Sequence, residues 1–181
     1  NVNLGRLEPA LLLIDRAERG FVQAGSLVEA ARTDLGRMHV LDDLGRHREA
    51  VAVGHSLLRR IPVIEAAGAA DGLARLEAAA HENLGVSHGY LGCHAEALAA
   101  YEVAERAYRQ GGFVDETVRC TANRGVELIE LGRNDEAIAA LEPSGSEFAR
   151  EGDLLSAAKC SAYAARAHLQ LGNYLAAVDA T

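Results

Sequence analysis

The chain has 181 residues, 49% of them hydrophobic and only 4% aromatic, with no Trp and 3 Pro; a core built from Ala, Leu and Val suits closely approaching helices, and scarce Pro favours helix over loop. Lys and Arg number 18 against 26 Asp and Glu, a formal charge of −8, which argues against the basic footprint that nucleic acid requires. Apolar runs such as Ala10 to Ile14 are far too short to span a bilayer, no signal peptide is recognised, and Cys93, Cys120 and Cys160 form no close pairs, so the expectation is a reducing, cytoplasmic compartment with neither membrane nor nucleic acid as a partner.

From the N-terminus, LGRLEPA at 4–10 leads into a helix expected over 8–23, and Gly25 turns the chain into a second over 27–43. LGRHREA at 44–50 starts a helix over 48–67, and Gly72 precedes another over 73–90. LGCHAEA at 91–97 leads into 95–110, and Gly112 into 115–130. LGRNDEA at 131–137 opens a helix over 135–149, in which Pro143 and Gly145 are expected to cause a kink or a split. Gly152 precedes a helix over 154–170, and LGNYLAA at 171–177 begins a last one from 174 onward.

The same seven-letter motif thus recurs five times, its leucines Leu4, Leu44, Leu91, Leu131 and Leu171 spaced by 40, 47, 40 and 40 residues. A fixed period of this size signals stacked helical hairpins, none of which buries its apolar stripe alone. The motif glycine ends one helix and turns the chain. The alanine five residues on (Ala10, Ala50, Ala97, Ala137, Ala177) is small because two helices cross there. Seven residues before the glycine stands a second small residue, Gly85, Gly125 or Ala165; Met38 breaks that rule, and looser or shifted packing is expected around it. The extra seven residues of the 47-residue unit fall near Ile61 to Ala67. As about two helical turns they keep the same face inward, and with Pro62 they form a candidate ledge for a partner.

The small–Gly–Ala skeleton (Gly85, Gly92, Ala97; Gly125, Gly132, Ala137; Ala165, Gly172, Ala177) resembles that of tetratricopeptide repeats (TPR). The aromatic that family carries four residues after the alanine is present as Tyr101 but replaced by Ile14, Gly54 and Leu141 elsewhere, and the period is 40 rather than 34. Long-period units of this kind are similar to TPR regions of bacterial signalling proteins, beside CHAT-type peptidase domains or in large transcriptional activators. The resemblance implies an all-α fold, a right-handed α-α superhelix of antiparallel helix pairs. It covers one array with units at about 4–43, 44–90, 91–130 and 131–170 and a partial unit at 171–181. Both ends fall inside a unit, so the expectation is an internal window of a longer array whose exposed ends offer a dimer contact.

TPR arrays bind partners along the concave face of the first helix of each pair. On a 3.6-residue period that face carries Glu82, Asn83, Val86 and Tyr90 in one unit, Arg119, Asn123 and Val126 in the next, and Lys159 and Arg166 in the last full one. Asn83 and Asn123 are 40 residues apart at one repeat position. An amide offers both donor and acceptor and can hold an extended peptide backbone, a role the resemblance implies for asparagine here; the alternative is that the two merely bond neighbouring helices. Arg119, Lys159 and Arg166 would attract carboxylates. His81, His88, Cys93 and His94 lack a convergent ligand set and are expected to be structural. Cys120 and Cys160, also 40 apart, mark a repeated packing site rather than a nucleophile. No phosphate loop or nucleophile elbow appears, so no enzyme activity and no cofactor are expected. The reading is a non-enzymatic module binding a protein or peptide segment in its groove, the partner being another protein or a flanking domain of its own chain; the alternative is a sensor, spacer or autoinhibitory region of a larger signalling protein.

Overall fold

The computed structural model describes residues 4–68 and 72–180. Its elements, among the described residues, are all helices: α1 (Leu4–Gln23), α2 (Leu27–Asp43), α3 (His47–Ala66), α4 (Leu73–Tyr90), α5 (His94–Gln110), α6 (Val114–Glu130), α7 (Asn134–Glu151), α8 (Leu154–Gln170) and α9 (Tyr174–Asp179). They fall into two compact units, Asn1–Cys93 and His94–Thr181. Within each, consecutive helices pack on one another in chain order, and the fold is an all-α solenoid type of stacked hairpins. No described helix is long and apolar enough to cross a membrane.

The corners explain the repeated letters. After α2, the Arg46 N–H donates to the Leu41 carbonyl at 2.8 Å and the Gly45 N–H to that of Asp42 at 2.9 Å. After α6, Arg133 donates to Leu128 at 2.8 Å and Gly132 to Ile129 at 3.0 Å. This paired closure satisfies the last carbonyls of a helix but puts its penultimate residue in the left-handed region, where Gly45 and Gly132 have φ of 73° and 72°. The first motif copy differs: Gly5 lies inside α1, which starts at Leu4 rather than near residue 8.

Two crossings pair a glycine with a large residue. A Cβ built on Gly125 would stand 2.7 Å from Leu141 Cγ, so α6 and α7 meet only because residue 125 has no side chain. In the first unit the pair is reversed. Met38 occupies the position equivalent to Gly125 and is 0% exposed. Gly54 occupies the position equivalent to Leu141, where a Cβ would stand 2.7 Å from Leu84 Cδ2 on α4 and 2.8 Å from Met38 Cε. Met38 is fully buried rather than loosely packed, because Gly54 leaves room for Met38 and Leu84 together. The motif alanines Ala50, Ala97, Ala137 and Ala177 are buried, whereas Ala10 is half-buried.

The helix expected over 48–67 is met within a residue at each end by α3, but the insertion does not add two helical turns. α3 is 20 residues long against 17 for α5, so only about one turn of the insertion is helical; residues 67 and 68 leave the helix, and 69–71 lie outside the described residues. Ile61 and Ile64 nevertheless face inward, joining Ala31, Leu57, Leu73, Leu76 and Ala80 in the first unit's core. Pro143 does not split α7, which runs unbroken from Asn134 to Glu151. Gly145 is a close-approach residue instead: a Cβ there would lie 3.0 Å from that of Cys160 on α8. Cys160 belongs to the second unit's core with Leu98, Leu128, Ile129, Ala137 and Leu141.

One ion pair repeats with the fold. Arg37 on α2 bonds Glu18 at 2.9 Å, and Arg124 on α6 bonds Glu105 at 2.8 Å, each across 19 residues. Around the first, Arg37 also pairs with Asp15, and Arg60 reaches Asp34 at 2.7 Å. Burial pushes the Asp34 carboxyl above its usual range, against the opposing pull of Arg60 and Arg37.

Gly125→Ala is expected to lower the unfolding free energy by about 1–3 kcal/mol through overpacking against Leu141. In that background, Leu141→Ala should cost less than in the wild type, a coupling that denaturant titration of the four-member cycle measures.

Candidate peptide-binding groove

The residues expected on the binding face divide between the two units, and the two groups differ. In the first, Asn83 is half-buried on α4 and its side-chain amide donates to the Leu35 carbonyl on α2 at 3.4 Å. Glu82 is buried, only 5% exposed, and so presents little to an open face. Ser87, one turn on, donates to Asp42 at 2.8 Å, and Asp42 also bonds His47 at 2.9 Å. Tyr90 is exposed and stacks on His47, ring centroids 4.8 Å apart. Val86 is half-buried between these groups. This stretch of α4 is largely occupied in fastening α4 to α2 and to the start of α3.

In the second unit, Arg119, Asn123 and Val126 on α6 share one pocket with Lys159 and Tyr163 on α8. Its volume is about 250 Å³, and Ala122, Leu141, Phe148, Ser156 and Cys160 complete the lining. The spacing 119, 123, 126 on α6 and 156, 159, 163 on α8 places one helical stripe from each against the same space. The floor is apolar and the rim carries two cations and an amide. Neither Asn123 nor Lys159 makes a side-chain hydrogen bond or ion pair among the described residues. Arg166 stands apart, bonded to Glu130 at 2.8 Å.

The α8 end of the pocket is held by a cap. Asp153 accepts from the Ser156 N–H at 3.1 Å, and hydrogen bonding from Ser156 holds its carboxyl below the usual range, with Lys159 adding a smaller pull. Cys160 is buried in the pocket lining, and burial pushes its thiol up, away from the thiolate that a nucleophile needs. Cys120 is likewise buried, with its sulfur 3.4 Å from the Tyr101 carbonyl. Both fit a packing role.

Two residues of the pocket, Leu141 and Phe148, escape a reading confined to the first helix of each pair. Phe148 comes from α7, and its signal is the spacing Leu141, Gly145, Phe148, one face of that helix with a gap for α8 in the middle. Tyr163 stands at the repeat position of Asn83 and Asn123 and supplies a wall in place of a third amide.

The histidines divide as well. His94 bonds Glu127 at 2.7 Å and His168 bonds Glu142 at 3.2 Å, both within the second unit. His55 and His88 pack edge to face at 6.4 Å, and burial lowers the His81 pKa. No group of three or more His, Cys, Asp or Glu among the described residues is placed to hold a metal ion.

No family model matches the chain, and no curated protein matches it in sequence. Among solved structures it is similar to BtubC (BKLC) from P. vanneervenii, with a TM-score of 0.57 and 13% identity over 100% of this chain and 89% of that one. At that identity the likeness shows the fold alone.

Two predictions separate the groups. Asn83→Ala should destabilise the fold by about 0.5–1.5 kcal/mol through the lost bond to Leu35, whereas Asn123→Ala should leave the melting temperature unchanged; differential scanning calorimetry reads both. His81 has a depressed pKa when folded, so its contribution is present above the unfolded value, near 6.5, and is lost as pH falls below it. Stability measured from pH 7.5 to 5 should therefore fall less steeply in His81→Gln than in the wild type.

Proposed function

We propose that the chain is a single array of the tetratricopeptide type and acts as a non-enzymatic interaction module. Its ligand is an extended segment of a protein partner, held over the α6–α8 groove of the second unit. The observation that carries this reading is the uncommitted amide of Asn123 beside Lys159 over an apolar floor. A peptide backbone presents an alternating N–H and C=O edge, which an amide can bond from both sides. Lys159 and Arg119 favour a carboxylate on the ligand, and Val126, Phe148 and Tyr163 take an apolar side chain. Extended-peptide recognition of this kind draws affinity from main-chain bonds and selectivity from pockets.

The reading assigns the two repeat-related asparagines different tasks. Asn123 contacts the ligand, while Asn83, already bonded to Leu35, contributes to the scaffold. The ladder implied by the tetratricopeptide resemblance is thereby shortened to one amide. The chemistry of the rim adds a salt dependence, since exposed charges are screened over about 8 Å at physiological ionic strength.

Selection from a random-peptide display library on the immobilised protein should enrich sequences with an acidic residue next to a large apolar one. Fluorescence anisotropy with a selected peptide should then show roughly three- to tenfold weaker binding to Asn123→Ala, the loss of one hydrogen bond. Lys159→Glu should weaken it further, and added salt should weaken the wild type. No enrichment, or selected peptides indifferent to both substitutions, would contradict the assignment.

A further inference from the structure

The 47-residue unit builds a second surface that the groove does not use. The added residues begin after Val63, the position at which α5 stops in its own unit, and carry Ile64 and Ala67 beyond it. Facing them are Val22 at the end of α1 and Leu27 and Ala30 at the start of α2. The trough between these walls has a volume of about 320 Å³. It is open to solvent: Val63 is 70% exposed and Val22 51%.

Its polar lining is one-sided. Among the described residues, Ser56, Arg59 and Arg60 are the only polar ones along it, and none of them is a carboxylate, in a chain whose formal charge is −8. Arg60 is engaged, 2.7 Å from Asp34 and 3.6 Å from Glu18. Arg59 is exposed and makes no hydrogen bond or ion pair among the described residues. Several other arginines of this unit are tied to acids, Arg32 to Glu29, Arg37 to Glu18 and Asp34, Arg46 to Glu49, while Arg16, Arg19 and Arg48 do not line the trough. An uncommitted guanidinium at the lip of an apolar trough selects for an apolar group with a carboxylate beside it.

We propose that this trough is a second docking site, for a short segment of a partner protein in which an aliphatic side chain is followed by an acidic one. The aliphatic group enters between Val22, Leu27 and Val63, and the carboxylate pairs with Arg59. The extra residues of the unit are then a binding ledge, and only their exposed members serve it, since Ile61 and Ile64 are also core. Deleting 61–67 would unfold the unit and test nothing; Arg59 and Val63 are exposed and can be changed without touching the core.

The test uses a fluorescein-labelled hexapeptide alternating leucine and glutamate, titrated with the full chain carrying Lys159→Glu to silence the other groove. Saturable anisotropy should appear, with amide shifts in nitrogen-15 spectra at Ser56, Val63 and Ala67. Arg59→Glu and Val63→Asp should each weaken binding at least tenfold, replacing glutamate by glutamine in the peptide should do the same, and circular dichroism of both variants should match the parent. Absence of binding, or binding indifferent to Arg59→Glu, would overturn the proposal. So would self-association of the chain abolished by Val63→Asp, which would make a second copy the occupant.

Discussion

Two helices can cross closely only where one of them gives up its side chain, and this constraint organises the rest of the molecule. At the α6–α7 crossing Gly125 yields to Leu141; at the α2–α3 crossing Gly54 yields to Met38. The donor of the space changes sides between the two crossings, and at Gly54 the space also admits Leu84 from α4, as close-packed interiors require. The corner glycines serve the same end: a three-residue turn returns the chain quickly enough for the next helix to pack on the last. With few aromatics available, alanines at the crossings and aliphatic side chains between them form both cores.

That packing decides which polar residues remain free to work. Asn83 and Asn123 occupy one repeat position, yet Asn83 lies within reach of the Leu35 carbonyl, whereas Asn123 opens onto a pocket flanked by Lys159 and Tyr163. Repeat equivalence therefore sets where a side chain starts and not what it meets. The second unit offers a groove with an apolar floor and a cationic rim; the first fastens its equivalent helix face through Asp42, His47 and Ser87. On the proposed reading, one open groove and one closed face leave room for a shorter segment than the repeat count alone suggests.

Much of the fold was legible in the sequence. The period, the corner glycines and the alanines located the helices to within a few residues, because each letter answers a local steric demand. Three features were not legible, each for a tertiary reason. Met38 looked like a defect because its compensation, Gly54, lies on another helix. Gly145 beside Pro143 looked like a helix break because the neighbour it admits, Cys160, belongs to α8. The length of the ledge was overestimated because periodicity counts residues and not where a helix ends. Of the site, the α6 and α8 stripes were readable from helical spacing, while Phe148 was not, because it arrives from the second helix of a pair. The Arg37–Glu18 and Arg124–Glu105 pairs recur at one spacing, but long side chains at exposed-looking positions give no sign of pairing until the helices are placed.

The central claim is that two asparagines at one repeat position do different work, one in the scaffold and one in the groove. Hydrogen exchange at their side-chain amides, followed by nitrogen-15 NMR on the free protein and after adding a groove-binding peptide, addresses it most directly. The account predicts a protected, peptide-insensitive Asn83 amide and a fast-exchanging Asn123 amide that becomes protected when peptide binds. Equal exchange at both in the free protein, or peptide protection at Asn83 and not at Asn123, would contradict it.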